Sequence, residues 1–380
     1  RAALHRVAGV WVAGSQVSGC GGVMVGSWWG RVDLYWTMPR HLLGLQGLAR
    51  SELTRLLERT REMGVLLRRS DQNVTGQTTG QTTGQTMDQT TGRATGLLAG
   101  KVVANLFFED STRTRLSFTV AAKRLGAEVI DLLGSTSSVS KGETLIDTAC
   151  NIEAMGVSAL VVRARQSGAA ALIASRVGIP VLNAGDGRHE HPTQGLLDTY
   201  TLAEAAKRLE TFDLSGLRVA IVGDVAASRV ARSAIAAMTT LGAEVLCIGP
   251  AGLAPKSLEA LGCVVTSDLD AILPTLDAVM MLRIQFERHD GAKNPVAGAG
   301  AGVSANSVIA SVREFRSLYA LTAGRAERMK PGAVVMHPGP INRGIELDAE
   351  VADGPRSVIL RQVTHGVAVR AAMLKDLIGA

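Results

Sequence analysis

Residues 102–125, VVANLFFEDSTRTRLSFTVAAKRL, pass from an apolar, β-branched run through a polar turn into an amphipathic stretch that Gly126 stops. The spacing predicts a buried strand over 102–108 and a helix over 111–125, with Ser111 as its N-cap. Between them, Ser111-Thr112-Arg113-Thr114-Arg115 sets three hydroxyls and two guanidinium groups in five consecutive positions. A helix N-terminus offers unpaired backbone N–H groups and roughly half a positive charge, so an anion placed there is held by backbone, hydroxyl and Arg together. Capping alone would use one of those hydroxyls and neither Arg.

The same alternation continues outward from this stretch. The pattern predicts strand 127–133, a loop at 134–142, helix 143–155, strand 158–163, helix 168–176 and strand 179–183, after which a helix over Gln194–Leu209 leaves the first series. A second series follows, with strand 217–222, helix 228–240, strand 243–248, helix 255–260 and strands 263–265 and 277–282. Alternation of this kind makes an α/β fold of two doubly wound parallel-sheet domains that face a shared cleft, with ligands at the carboxyl ends of the strands. The expected limits are 38–195 for the first domain and 196–355 for the second, with a final segment 356–380 whose helix, about Thr364–Leu377, packs back through Val367, Met373, Leu374 and Leu377. Upstream, Ser51–Leu67 has helical periodicity with Leu53, Leu56, Leu57 and Leu66 on one stripe.

Two segments read as insertions. Within 72–96, Thr75–Gly92 repeats Thr-Thr-Gly-Gln with a period of four, a polar tract that cannot bury enough surface to offset its ordering entropy. The other, 292–306, is rich in Ala and Gly. Residues 1–37 hold all four Trp, are Gly-rich and precede Met38, which opens a polar, periodic segment; they read as a disordered extension outside the fold, with Met38 as the functional start.

Composition narrows the class. With 380 residues, 46% of them hydrophobic, the chain can bury a core in each of two domains. Forty basic residues against 34 acidic ones are well mixed, and three Tyr and six Phe leave little for stacking bases, which argues against nucleic acid. No apolar run reaches the length of a membrane span. Cys20, Cys150, Cys247 and Cys263 lack metal-ligand spacing, as expected of reduced thiols in a cytoplasmic protein.

Polar residues that a core would not choose recur at predicted strand ends: STRTR at 111, SSVSKGET at 137, Arg163, HPTQ at 191, RIQFER at 283 and HPGPINRGIE at 337. On these motifs the sequence resembles the aspartate and ornithine carbamoyltransferases from about Arg40 to its C-terminus, the two insertions apart. KGETL at 141 and HPGPINRGIE at 337 are similar to the aspartate branch; ornithine enzymes carry a Cys-containing motif at the second position, and no Cys lies near His337.

The resemblance implies transfer of a carbamoyl group from carbamoyl phosphate to L-aspartate, with no cofactor and no metal. It places Ser111, Thr112, Arg113 and Thr114 on the phosphate, Arg163, His191 and Thr114 around the carbonyl oxygen, and Gln194 with the backbone carbonyls of Pro338 and Gly339 on the amide. It places Arg229, Arg283 and Gln285 on the two carboxylates of aspartate, and Glu109, Arg229 and Arg288 across the cleft on closure. Ser137, on the carbamoyl phosphate, and Lys141 would come from a neighbouring copy in a homotrimer that shares its active sites, Lys141 serving the aspartate and the chemistry. A regulatory chain or a dihydroorotase partner is compatible with the resemblance. Two alternatives stay open at this point: a transcarbamylase for another amine such as ornithine, and an inactive homologue kept as a structural or regulatory subunit. Ala164 stands where many relatives have His.

Overall fold

The computed structural model describes residues 6–7, 10–11, 41–75, 96–133, 143–284 and 311–379. The chain divides into two units, 1–37 and 38–380. In the first, the described residues are β1 (Arg6–Val7) and β2 (Val10–Trp11), paired antiparallel. The expectation of a disordered extension otherwise falls outside the described residues, as do those for the 292–306 insertion and for the repeat tract from 76 to 95.

The second unit holds two parallel sheets. The first contains β3 (Val102–Phe107), β4 (Glu128–Leu133), β5 (Ala159–Ala164) and β6 (Val181–Asp186) in the order β4-β3-β5-β6. Every neighbour pair in it is parallel. The second contains β7 (Arg218–Val222), β8 (Glu244–Ile248), β9 (Val264–Thr266), β10 (Ala278–Met281) and β11 (Val334–Met336) in the order β11-β10-β7-β8-β9, again parallel throughout. In each sheet the chain begins in the middle, builds to one side and then crosses to the other. The order therefore reverses between β3 and β5 in one sheet and between β7 and β10 in the other, and a doubly wound sheet binds ligands at such reversals.

The helices are α1 (Arg50–Thr75), α2 (Thr112–Arg124), α3 (Leu145–Ala154), α4 (Ala169–Ala174), α5 (Pro192–Ala205), α6 (Arg229–Thr240), α7 (Leu269–Ile272), α8 (Val312–Tyr319), α9 (Ala323–Glu327), α10 (Ala349–Ala352) and α11 (Ile359–Ile378). The helix expected over 255–260 is a 3-10 helix, Lys256–Leu261, ended by left-handed Gly262. Strand β11 was not expected from the sequence. The C-terminal helix α11 begins several residues earlier than its apolar stripe suggested and packs on α1, α2 and α5. On α1 the stripe consists of Leu53, Leu57, Met63 and Leu67, with Leu56 partly buried; Leu66, placed on it from spacing, is exposed. Position 66 lies about 100° around the helix from 67, enough to leave a narrow face.

Three apolar clusters hold the layers together. One runs continuously between the sheets through α1, α2, α5, α6 and α11, and each outer face has its own. Strands buried on both sides explain the near-continuous apolar runs of β3, β5 and β7. Cys247 and Cys263 lie in the core and Cys150 is half-buried; all three are free thiols. Among the described residues, no helix is long and apolar enough to cross a membrane.

Candidate active site

The carboxyl ends of the two sheets open into one cleft of about 800 Å³. From the first sheet, the turn after β3 brings Glu109 to Thr114 to the N-terminus of α2. Ser111 is the N-cap by position, but its side chain makes no capping hydrogen bond and lines the cleft. The structure thus has Ser111 at the expected N-cap position, in extended backbone and without a side-chain capping bond. Thr114 is buried on the first turn of α2.

Arg163 is the last but one residue of β5, across from this turn, where the pairing of β5 with β6 slips. Val162 faces Asn183 and Ala164 faces Asp186, so Ala184 and Gly185 oppose the single residue Arg163. The slip is a β-bulge, which re-aims the side chain beside it. The Arg163 guanidinium donates to the Ala184 carbonyl at 3.1 Å and to Glu109 Oε1 at 3.4 Å. Gly185 has φ +114°, and a Cβ there would lie 2.8 Å from Arg229 Nε and 3.2 Å from Arg163 Nη1. Only glycine lets the backbone pass between the two guanidinium groups.

His191 caps α5, with Pro192 at the first helical position, and is buried with no hydrogen-bond partner on either ring nitrogen. Burial, then the charges of Arg370, Arg163 and Arg229, hold its pKa well below the ordinary 6.5. The imidazole is neutral at neutral pH, a donor of one N–H into a site where charge develops.

From the second sheet, Ser228 caps α6 and sends Arg229 into the cleft, while Arg283 follows β10. Arg229 reaches the opposite wall: Nη1 and Nη2 donate to Glu109 Oε2 and Oε1 at 2.8 and 2.9 Å. Arg283 lies near Arg113, whose pKa is lowered by burial and then by that second positive charge. His337 Nδ1 accepts the N–H of Gly339 at 2.7 Å, so Nε2 carries the hydrogen and donates to buried Glu346 at 3.2 Å. This folds 337–340 so that Gly339, φ +71°, backs onto the Arg113 guanidinium, 3.2 Å from where a Cβ would sit. Arg113, Arg163, Arg165, Arg188, Arg229, Arg283 and Arg370 line the cleft against the carboxylates of Glu109 and Asp110. Such an excess suits a ligand with several negative charges. No group of three or more His, Cys, Asp or Glu among the described residues could hold a metal ion.

Comparison with known proteins decides between the carriers of such a cleft. The profile of the aspartate/ornithine carbamoyltransferase carbamoyl-P binding domain matches residues 40–204, and that of the family's Asp/Orn binding domain matches 215–377. The chain belongs to the aspartate/ornithine carbamoyltransferase family. It is 52% identical over 336 residues to the aspartate carbamoyltransferase catalytic subunit of Myxococcus xanthus, covering 88% of this chain and 98% of that one. The fold is similar to that of the catalytic subunit of M. jannaschii aspartate transcarbamoylase, with a TM-score of 0.69, 31% identity, and coverage of 90% of this chain and 98% of that chain. It is also similar to Trypanosoma cruzi aspartate transcarbamoylase in complex with carbamoyl phosphate and aspartate, at 26% identity and a TM-score of 0.69 over 89% and 95% of the two chains.

Within this carbamoyltransferase cleft, the residues singled out from the sequence fall into three groups. Ser111, Thr112, Arg113, Thr114, Arg163, His191, Gln194, Arg283, Pro338 and Gly339 line it together. Arg229 and Glu109 line it too, but the guanidinium fork assigned to a substrate carboxylate is occupied by Glu109. Ser137, Lys141, Gln285 and Arg288 lie outside the described residues.

Four residues escaped notice. Asp198 and Gln362 are buried behind Gln194, and Arg370 is buried beside them with Nη1 on Ser117 Oγ at 2.7 Å. Burial lowers the Arg370 pKa to about 10, and Asp198 opposes that shift. Glu190 binds the backbone N–H groups of Leu45 and Gln46, both at 2.9 Å, and the Ser233 hydroxyl at 2.6 Å, tying the N-terminal turn to α6. One signal was present: Gln194 and Asp198 are four apart on α5, a spacing that puts them on one face. An Arg inside the apolar run Val367–Leu374 was another.

Proposed function

We propose that this chain transfers the carbamoyl group of carbamoyl phosphate to the amine of L-aspartate, giving N-carbamoyl-L-aspartate and inorganic phosphate, the aspartate carbamoyltransferase reaction of pyrimidine biosynthesis. The observation that carries this reading is a single cleft in which hydroxyls and Arg113 at the N-terminus of α2 face Arg283 from the other sheet. One anion binds at the helix end, and a second, dicarboxylate partner approaches from the opposite wall.

The amine attacks the carbonyl carbon, and the carbonyl oxygen takes negative charge in a tetrahedral intermediate. Collapse breaks the bond to the bridging oxygen, and the amine proton leaves on the phosphate. Ser111, Thr112, Arg113 and Thr114 hold the phosphate, while Arg163, neutral His191 and Thr114 stabilise the developing oxyanion. Removing one such donor typically costs about a hundredfold to a thousandfold in rate. Gln194 with the carbonyls of Pro338 and Gly339 holds the NH2 group. Arg229, Arg283, Gln285 and Lys141 take the carboxylates, and Glu109 and Arg288 hold the closed cleft. Ser137 and Lys141 enter from a neighbouring copy in a cytoplasmic homotrimer. Residues 38–195 form the carbamoyl phosphate half, 196–355 the aspartate half, and 356–380 return to the first.

Purified chain given carbamoyl phosphate with either L-aspartate or L-ornithine tests the reading. Ureido product with aspartate is expected; product with ornithine alone, or none with either, overturns it.

A further inference from the structure

Gln194 sits on the cleft wall, and what its side-chain amide can recognise depends on which end faces the substrate. An amide shows either an acceptor oxygen or an NH2 donor, and rotation by half a turn exchanges them. The choice here is made behind it. Gln194 Nε2 donates to Asp198 Oδ1 at 2.9 Å, and Gln362 Nε2 donates to the same oxygen at 2.7 Å. Gln362 is itself oriented, because its Oε1 accepts the backbone N–H of His337 at 2.9 Å. Asp198 and Gln362 are both buried. The bonds converge on the carboxylate: the backbone N–H of His337 donates to the Gln362 oxygen, and the NH2 groups of Gln362 and Gln194 both donate to Asp198.

We infer that Asp198, held by Gln362, is a positioning residue that keeps Gln194 Oε1 turned to the cleft as an acceptor, and so makes the site select a transferred group bearing N–H donors. This deepens the proposed function and rests on it. The selected class is an acyl phosphate whose acyl group carries NH2, as against one carrying a methyl in the same place. The polarity survives a proton on Asp198. Both amide NH2 groups point at Oδ1, and Oδ2, which has no protein partner, is the oxygen left for the proton. Burial pushes the Asp198 pKa up to about 7, against the two amide hydrogen bonds and the Arg370 charge, which favour the carboxylate. The device also links the halves of the amide pocket, since the bond from His337 to Gln362 anchors the segment that supplies Pro338 and Gly339.

The test compares carbamoyl phosphate with acetyl phosphate, the methyl isostere, as donors to L-aspartate, and reads the ratio of their kcat/KM values. Asp198→Ala leaves Gln194 free to rotate, and the ratio is expected to fall at least about tenfold, because an NH2 donor facing the substrate NH2 loses one hydrogen bond. Asp198→Asn keeps an oxygen acceptor and should hold the ratio within about threefold of the parent. An unchanged ratio in a folded Asp198→Ala enzyme overturns the inference, as does an equal loss with Asn. If Asp198→Ala does not fold, Gln362→Met decides in the same way: it removes the bond that fixes Asp198 and should lower the ratio, and an unchanged ratio overturns the inference. Failure of the parent chain to use carbamoyl phosphate at all would instead overturn the function on which the inference rests.

Discussion

The two walls of the cleft are built from the same kind of sheet yet hold their cations differently. On the first, Ser111–Thr114, Arg163 and His191 sit at the ends of regular elements, each fixed by a strand end, a bulge or a helix start. On the second, Arg229 is engaged with a carboxylate of the opposite wall, and Arg283 leaves β10 just before residues 285–310, which lie outside the described part. The first wall is therefore fixed by elements of one sheet, while the second is tied to it by a contact between walls. Preorganised donors act on the transition state without reorganisation, whereas a bridging ion pair can couple binding to closure.

Breaking the first wall should cost most. Arg113→Ala removes the guanidinium that faces both the helix N-terminus and Gly339, and kcat/KM for carbamoyl phosphate should fall about a hundredfold to a thousandfold in steady-state assays. An unaffected rate would contradict its phosphate role. Releasing the bridge should cost less. Glu109→Gln leaves Arg229 and Arg163 without their shared carboxylate, and kcat/KM for aspartate should fall about tenfold to a hundredfold through misplacement of Arg229. Loss confined to carbamoyl phosphate use would mean that Glu109 acts through Arg163 instead of Arg229.

The smallest effect sharpens the account of His191. Its folded pKa is depressed, chiefly by burial, so the unfolded chain takes up this proton first. The stability it contributes is fully present above pH 6.5 and is lost as pH falls from there toward the folded value. Urea unfolding at stepped pH should show a shallower decline below that point in His191→Asn than in the parent. Parallel declines would mean that His191 takes up its proton equally in the folded and unfolded chain, with no depression of its folded pKa.

Much of the first wall could be read directly. STRTR after an apolar run announced a strand and a helix start, and the alternation of apolar runs with helical periodicity announced two parallel sheets. Those signals are local, written within a few residues of the feature they specify. Asp198, Gln362 and Arg370 were missed because their meaning is not local. Asp198 and Gln362 are 164 positions apart, and neither is informative until α5 and α11 pack. Leu66 shows the same limit in miniature: periodicity admitted it to the face of α1, and the width of the packed face left it out.

By itself, the sequence determined the elements, the parallel topology and the kinds of side chain at the strand ends, because propensity, periodicity and motif chemistry act over short spans. Only the tertiary structure decided where those side chains aim. The bulge of β6 against Arg163 needs two strands in register, with Gly185 to let the guanidinium groups approach. The Glu109–Arg229 bridge needs both sheets in place. The direction in which Gln194 presents its amide is set by a buried carboxylate and by a glutamine from the last helix. Orientation in each case comes from contacts distant in sequence, which exist only once the chain has closed on itself.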